Sequence, residues 1–276
     1  MINEKNNESK FIVQSDVVKL SETIIEIVKI SEELNLKIWL NYGALLGLIR
    51  EKRLLPWNND AELSCWYEEG IEEKFKLITD EMNKRGYHAF YYSTIGTFSV
   101  KAEGVVVNVN LIWEEGNYGI RPHETPASKS ISIIAKIFYW MSIFMGAYPS
   151  GFVGNTKKIF SKNELIKIII ITSLRVFPRA IRKFLALKLI NLSTIFGGEY
   201  QKTAIPIKYI NQFVEYDFYN EKVLVPKEPE NLVKFIYGEE WNIPKENWSF
   251  YKDKNKKDSG MIFLDEKFDY KTIKIV

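Results

Sequence analysis

Two acidic residues near the start of the chain, Asp60 and Glu62, have the types and the spacing of a metal-binding pair. One residue separates them in a stretch that alternates polar and apolar side chains, as a half-buried β-strand does. On a strand, both carboxylates project from one face, with Cα atoms about 6.5 to 7 Å apart. Oxygen ligands suit Mg²⁺ or Mn²⁺, which stabilise the attacking and leaving oxygens of phosphoryl transfer. Such a pair also occurs on solvated sheet faces, so the spacing leaves both interpretations open.

A glycine and several cations lie just before this pair. Gly43 stands between a short β-prone run, residues 37–41, and the apolar residues 44–50. This order predicts a strand, a tight glycine turn and a helix. A helix N-terminus there directs backbone N–H groups toward an anion, and Arg50 and Lys52 add positive charge. Phosphate and metal are therefore expected to meet at one site.

Composition limits the classes of function. The chain has 276 residues, 46% of them hydrophobic, which is enough for a substantial core. Its 38 basic and 35 acidic residues give a net charge of only +3, so nucleic acid is not an expected partner. A single cysteine, Cys65, excludes an intramolecular disulfide, and no apolar leader or membrane span is apparent. A cytoplasmic protein is expected.

The elements that would position the site follow from periodicity. Apolar spacing predicts helices at residues 15–35, 44–50 and 71–85, the last ended by Gly86. Alternating or β-branched runs predict strands at residues 37–41, 60–67, 87–94, 97–102 and 105–113. The expected fold class is α+β, with a mixed α/β sheet.

The middle of the chain has a different character. Residues 156–190 hold nine basic residues against one acidic residue, Glu164, and the preceding residues 131–145 are strongly apolar. Both stretches are predicted to be helical. Either they lie as peripheral helices on an anionic membrane surface, or they pack as an insertion around a phosphate-bearing ligand. The chain therefore divides into a core at residues 1–125, a basic apolar insertion at 126–200 and a C-terminal segment at 201–276.

Residues 40–63, LNYGALLGLIREKRLLPWNNDAEL, resemble the signature of the LicD family, which includes fukutin and fukutin-related protein. The matching positions, in order, are Gly43, Leu45, Leu46, Gly47, Arg50, Pro56, Trp57 and Asp60. A second stretch is similar to the closing motif of the family: Phe218, Val225, Pro226 and YGEEWNIP at residues 237–244. The resemblance implies a nucleotidyltransferase-like core with a helical insertion and a C-terminal extension.

The resemblance also implies an activity. Family members transfer a phospho-alcohol, such as phosphocholine or ribitol phosphate, from a CDP-linked donor to a glycan hydroxyl and release CMP. It implies a cytoplasmic enzyme that decorates a cell-surface polymer such as lipopolysaccharide. The expected donor-binding residues are Gly43, Ala44, Arg50, Lys52, Trp57 and Arg121. The expected catalytic and Mg²⁺- or Mn²⁺-binding residues are Asp60, Glu62 and Asn110.

Departures from the family pattern concern the same site. Asn58 stands where the family has its first Asp, and Ala44 stands where Thr or Ser is usual. In VVNVNLIW, residues 106–113, Asn110 or as a second choice Asn108 takes the place of the last expected Asp. Three explanations stay open: an engineered inactive variant, an enzyme with a rearranged metal site, and a family member that only binds. An ordinary nucleotidyltransferase that releases pyrophosphate is a further, weaker alternative.

The two histidines receive different interpretations. His88 begins a predicted strand and is interpreted as structural. Arg121 and His123 follow the strand that carries Asn110, and either is a candidate for contact with the donor phosphate. The alternative is that both are ordinary loop residues.

Overall fold

A mixed β-sheet runs through the molecule. The computed structural model describes residues 14–93, 95–123, 133–148, 169, 173–196, 201–244 and 262–264. The first part contributes α1 (Gln14–Glu33), β1 (Trp39–Asn41), α2 (Tyr42–Glu51), β2 (Asp60–Trp66), α3 (Ile71–Lys84), β3 (His88–Tyr92), β4 (Thr97–Ala102), β5 (Val105–Glu115) and β6 (Tyr118–His123). The predicted helices and strands up to residue 113 are confirmed in kind and order, and β6 is an additional strand.

The second part of the chain alternates helices with further strands. It contributes α4 (Ile133–Gly146), β7 (Ala147–Tyr148), a 3₁₀ turn (Leu174–Val176), α5 (Arg179–Ile195), β8 (Gln201–Pro206), a second 3₁₀ turn (Ile207–Tyr209), β9 (Phe213–Phe218), β10 (Glu221–Pro226), α6 (Pro229–Tyr237) and β11 (Ile262–Leu264). The helical interpretation of residues 131–145 is confirmed by α4. Most of residues 156–178 lie outside the described part.

Strands from distant parts of the chain lie next to each other in the sheet. Its longest path runs β11-β8-β6-β5-β2-β1-β10-β9, while β4, β3 and β7 branch from the other edge of β5. β2 pairs in parallel with β5 along its whole length, and β1 lies between β2, antiparallel, and β10, parallel. The C-terminal segment, predicted to pack on the core, therefore supplies strands of the same sheet. The expected mixed α/β architecture is confirmed.

Helices α1 and α3 cover one face of the central strands. Leu20, Ile24 and Ile27 of α1 and Phe75 of α3 are fully buried against Leu63 and other strand residues. Burial of a side chain of this size contributes roughly 1.5–3 kcal/mol. Because strand side chains alternate between faces, the opposite face of β2 and β5 is left for polar residues. That face carries the candidate site.

The α4–α5 pair packs at the far end of the β3–β4 hairpin. Tyr139 and Ile143 of α4 and Ile190 of α5 form a small buried cluster with Ile95, and Tyr92 packs against it. The two helices also contact each other closely, and Ser193 Oγ donates to the Ala135 carbonyl at 2.8 Å. Among the described residues, no helix has the length and apolar character needed to cross a membrane.

Candidate functional site

The carboxylates of Asp60 and Glu62 lie on the same face of β2, as their spacing predicts. Asp60 is exposed and Glu62 half-buried, while Ala61 and Leu63 between and after them point into the core. Burial and the neighbouring Glu62 carboxylate raise the pKa of Asp60. Because the Asp60 side chain keeps an exposed surface, water screens part of that effect. The pair is therefore close enough for each charge to influence the other.

Arg121 holds Glu62 in an ion pair. Its Nη1 donates to Glu62 Oε1 at 3.0 Å, with only 11% of the Arg121 side chain exposed. Arg121 lies in β6, in register with Thr203 of β8, so the interpretation as a loop residue is wrong. Its guanidinium carbon also lies 5.9 Å from the centre of the Tyr42 ring. His123 is the last residue of β6. A role for Arg121 or His123 in donor binding stays a prediction.

Asn108, the second choice for the missing acid, is the β5 residue opposite Glu62. Asn110 lies opposite Ser64, two residues farther along, which on a strand is about 6.6 Å. Asn110 is fully buried, and its Oδ1 accepts a hydrogen bond from Thr97 Oγ1 at 3.0 Å. Strand register and burial both distinguish the two amides, since Asn108 is half-buried opposite Glu62 and Asn110 is fully buried. A metal-binding role for Asn110 stays a prediction, and the geometry favours Asn108.

The turn between β1 and α2 is at Tyr42, so the prediction of a glycine turn at Gly43 is wrong. Tyr42 has φ of 45°, and its N–H donates to the Asn41 side chain at 2.9 Å. Asn41 Nδ2 in turn donates to Ser64 Oγ at 2.9 Å. Gly43 is the second residue of α2, and a Cβ there would lie 2.7 Å from Asn58 Nδ2. A side chain at residue 43 would therefore displace the Asn58 side-chain amide from its present position.

The strained Tyr42 carries its ring into the site. A tyrosine with positive φ is uncommon, and such residues cluster where the surrounding structure fixes a functional geometry. Burial raises the pKa of the Tyr42 phenol, and the positive charge of Arg121 opposes that shift. The phenol therefore stays protonated beside the Arg121–Glu62 pair.

A cavity of about 260 Å³ is related to the carboxylates through Tyr237, which lines it and is close enough to feel the charges of Glu62 and Asp60, although neither acid lines the cavity itself. Two segments far apart in sequence form its wall, and both belong to the motifs that resemble the LicD family. The lining residues are Gly43, Leu46, Arg50, Leu55, Trp57, Asn58, Tyr237, Glu240, Trp241 and Ile243. The predicted donor-binding residues Gly43, Arg50 and Trp57 are thus brought together, and Trp57 is 55% exposed.

Arg50 fastens the two segments to each other. Its Nη1 donates to the Trp241 carbonyl at 3.3 Å, and its Nη2 lies 2.8 Å from Glu51 Oε1. The side chain is 10% exposed, and its Nε makes no hydrogen bond to the described residues. A buried guanidinium nitrogen without a partner is costly unless a ligand or water satisfies it.

Tyr237 links the cavity to the carboxylates. Its phenol is buried, and burial followed by the negative charges of Glu62 and Asp60 raises its pKa, whereas Arg50 lowers it. Tyr237 also lines the cavity. In the sequence analysis, Tyr237 is only the first residue of the C-terminal motif, and no chemical role is predicted for it.

Three predicted donor-binding residues, Ala44, Lys52 and Arg121, do not line the cavity. Ala44 is buried inside α2, with 2% of its surface exposed. Lys52 is exposed and closes α2 in a left-handed conformation, with φ of 57°. Their predicted roles stay untested.

The residues of the site fit one divalent ion better than two. Among the residues that the structure describes, no three His, Cys, Asp or Glu side chains gather as a metal-binding group. Asp60 and Glu62 supply two carboxylates, and Asn108 beside Glu62 supplies a neutral amide. Mg²⁺ is commonly held by one or two carboxylates together with substrate phosphates and water. Metal at this site would therefore depend on the phosphate of a bound donor.

Comparison with known families gives a match over part of the chain. Residues 35–115 match the family described as LicD/FKTN/FKRP, nucleotidyltransferase domain. The predicted LicD resemblance is confirmed over that stretch, and the match supports a transferase of the phosphotransferase type. It includes Asp60, Glu62 and Asn108 but ends before Arg121 and the C-terminal motif.

Comparison with solved structures gives weak similarity. The antibiotic-resistance factor ANT(2'')-Ia in solution is 12% identical over 65% of this chain and 95% of its own, with a TM-score of 0.30. ANT(2'')-Ia in complex with adenylyl-2''-tobramycin is 13% identical over 63% of this chain and 98% of its own, with a TM-score of 0.29. These scores transfer no residue role to this chain. A comparison with curated proteins finds no match.

Proposed function

We propose, on the premise that residues 35–115 are a LicD-family nucleotidyltransferase domain, that the protein is a metal-dependent transferase. It moves a phospho-alcohol, phosphocholine or a polyol phosphate, from a CDP-linked donor to a hydroxyl of a cell-surface glycan. One observation carries this proposal: residues 43–58 and 237–243 line one cavity beside the Asp60–Glu62 pair.

The cavity suits the nucleotide end of the donor. Trp57, half exposed at the wall, offers an aromatic face for a base. A volume of about 260 Å³ accommodates a base or a sugar rather than a whole CDP-alcohol. The diphosphate would then extend out of the cavity. The Arg50 guanidinium, nine-tenths buried with Nε unpartnered among the described residues, is the cation that this diphosphate approaches.

The chemistry requires one bond to form and one to break. The glycan hydroxyl attacks the phosphorus that carries the alcohol, the bond to the bridging oxygen breaks, and CMP leaves. Asp60 is the carboxylate available to accept the hydroxyl proton, because Glu62 already accepts from Arg121. A divalent ion held by Asp60 and Glu62 would neutralise charge on the phosphates when bound.

A second candidate function is donor binding without turnover. Two carboxylates and one guanidinium leave Asp60, Glu62 and Arg121 with one net negative charge, against three for a site of three unpaired acids. Weaker negative charge lowers affinity for Mg²⁺. The Arg121–Glu62 ion pair and the amide at Asn108 are the observations that favour this alternative.

Product analysis separates the candidates. The protein is mixed with Mg²⁺, a panel of CDP-alcohols and a glycan extract, and the products are identified by mass spectrometry. CMP release that is lost in Asp60→Ala but kept in Asp217→Ala, an exposed acid of β9, supports the transferase. Pyrophosphate release from a nucleoside triphosphate supports an ordinary nucleotidyltransferase instead.

Two gain-of-function variants complete the experiment. Asn108→Asp and Asn110→Asp each restore a carboxylate, at the position opposite Glu62 and two residues beyond it. If only Asn108→Asp turns over, the chain is an inactivated enzyme and Asn108 marks the missing ligand. If no version turns over with any donor while a CDP-alcohol still binds, the protein is a binding protein.

A further inference from the structure

The exposed side of α4 is apolar, which is unusual for a helix on a protein surface. Ile133, Ile134, Ile137, Trp140 and Met141 are between 41% and 76% exposed. The spacing places them on one side of the helix, and Lys136 is the exposed charge among them. The opposite side, with Tyr139 and Ile143, is buried against Ile95.

Helix α5 repeats this arrangement. Ile181, Phe184 and Ile195 are 45%, 57% and 68% exposed, while Ile190 is buried in the same cluster as the α4 residues. Lys188 Nζ lies 5.5 Å from the centre of the Phe184 ring. A lysine in this position can cover apolar surface with its stem and keep its ammonium group in water. We call the exposed sides of α4 and α5 the outer face.

The charge of this helical pair has one sign. Residues 133–148 and 173–196 contain six of the 38 basic residues and none of the 35 acidic residues. The remainder of the chain therefore has 32 basic and 35 acidic residues. Five of the six basic residues lie in α4 and α5, which also carry the exposed apolar side chains and contain no acidic residue, and Arg175 lies in the 3₁₀ turn before α5.

We propose that the outer face docks on a membrane surface that contains anionic lipid. Basic amphipathic helices lie in the interface, with apolar side chains at the level of the headgroups and cations against anionic lipid. A second copy of this chain fits less well, because self-association through the outer face would bring its exposed cations, Lys136 and Lys188, toward the same cations of the other copy. Docking there would hold the cavity near lipid-linked acceptors, although the inference does not depend on the proposed transferase activity.

Vesicle co-sedimentation tests the proposal. The full chain is mixed with phosphatidylcholine vesicles, with and without phosphatidylglycerol, at low and high salt. We expect sedimentation with the anionic vesicles, and release as salt screens the charges. The double variant Lys136→Gln/Lys188→Gln is expected to bind about tenfold to thirtyfold more weakly, at ~1 kcal/mol per basic residue near the surface.

An apolar variant and a matched control complete the test. Ile137→Ser/Phe184→Ser is expected to lose vesicle binding, while Leu77→Ser, equally exposed at 56% on α3, keeps it. Unchanged thermal unfolding shows that each variant is folded. The proposal fails if the wild-type protein does not sediment with anionic vesicles. It also fails if Leu77→Ser loses as much vesicle binding as Ile137→Ser/Phe184→Ser. It also fails if the apolar variant instead converts a dimer to a monomer in ultracentrifugation, since a second copy then covers the face.

Discussion

The sheet around Asp60 and the α4–α5 pair distribute their side chains in opposite ways. In β2, apolar residues point into the core and the acids point to the site. In α4 and α5, a small apolar cluster faces the protein while further apolar side chains face outward. Acids gathered on one sheet face and apolar side chains on exposed helices both depart from what folding alone favours, and such departures are expected at functional sites.

Charge follows the same division. The site combines two acids with a single guanidinium, whereas the described part of the α4–α5 region contains only cations. The six positive charges of the α4–α5 region and the net charge of −3 of all other residues add up to the net charge of +3. Global charge therefore says little about either surface, and the local distribution is the informative quantity.

The largest expected effect is a loss of CMP release without a loss of vesicle binding, which would separate the site from the outer face. Asp60→Asn is expected to lower CMP release about 10²- to 10⁴-fold, because it removes the acceptor of the hydroxyl proton. Vesicle binding should not change. Ile137→Ser/Phe184→Ser should lose vesicle binding, while its turnover on a water-soluble acceptor should stay within about twofold of wild type. Loss of both properties in either variant would contradict the division.

Stability provides the second contrast. Phe75→Ala is expected to lower the free energy of unfolding by about 3–5 kcal/mol, because Phe75 is fully buried between Tyr91 and Phe98. Phe184→Ala, in the outer face, should change it by less than about 0.5 kcal/mol. Urea unfolding measures both. A comparable loss in the two variants would mean that the outer face contributes to the core in solution.

A smaller effect is expected at Gly43. Gly43→Ala should lower stability and donor affinity by about 1 kcal/mol or less, because the new methyl group meets Asn58 Nδ2, the end of a side chain that can turn away. Asn58→Ala should relieve the clash, so that the double variant is more stable than Gly43→Ala alone. Calorimetric titration with a CDP-alcohol and urea unfolding complete the double-mutant cycle. Additive losses would show that the two residues do not interact.

The smallest effect is a pH dependence. The pKa of Asp60 is raised in the folded protein, so the folded state binds its proton more tightly than the unfolded state. The contribution of Asp60 to stability is therefore full at low pH. It is lost as pH rises from the ordinary Asp range, about 4, through the raised value. Unfolding of wild type and Asp60→Asn at a series of pH values should show that the variant lacks this decrease.

The helices and strands up to β5 could be predicted from the periodicity of their own residues. Alternation identified β2, helical spacing identified α3, and Gly86 ends that helix with φ of 87°. The family resemblance predicted that Gly43, Arg50 and Trp57 act together, and they line one cavity.

The failures involve relations between distant residues. Strand β6 is held by β8, and Thr203 Oγ1 donates to the Arg121 carbonyl across 82 positions of sequence. No local pattern reveals that pairing, so the contact of Arg121 with Glu62 could not be predicted. The position of Asn108 opposite Glu62 and the burial of Asn110 against Thr97 depend on how β5 pairs with β2 and β4, which the sequence does not show. The turn at Tyr42 was missed because positive φ is expected of glycine, and the neighbouring Gly43 suggested it.

The hydrogen bond from Arg50 to Trp241 spans 191 positions of the chain. During synthesis, the cavity wall stays incomplete until almost all of these residues have left the ribosome, and β1 has no parallel neighbour until β10 emerges. Contacts of this separation form slowly, since loop closure precedes any gain from pairing. The nascent protein would therefore be unable to bind a donor until Trp241 has left the ribosome.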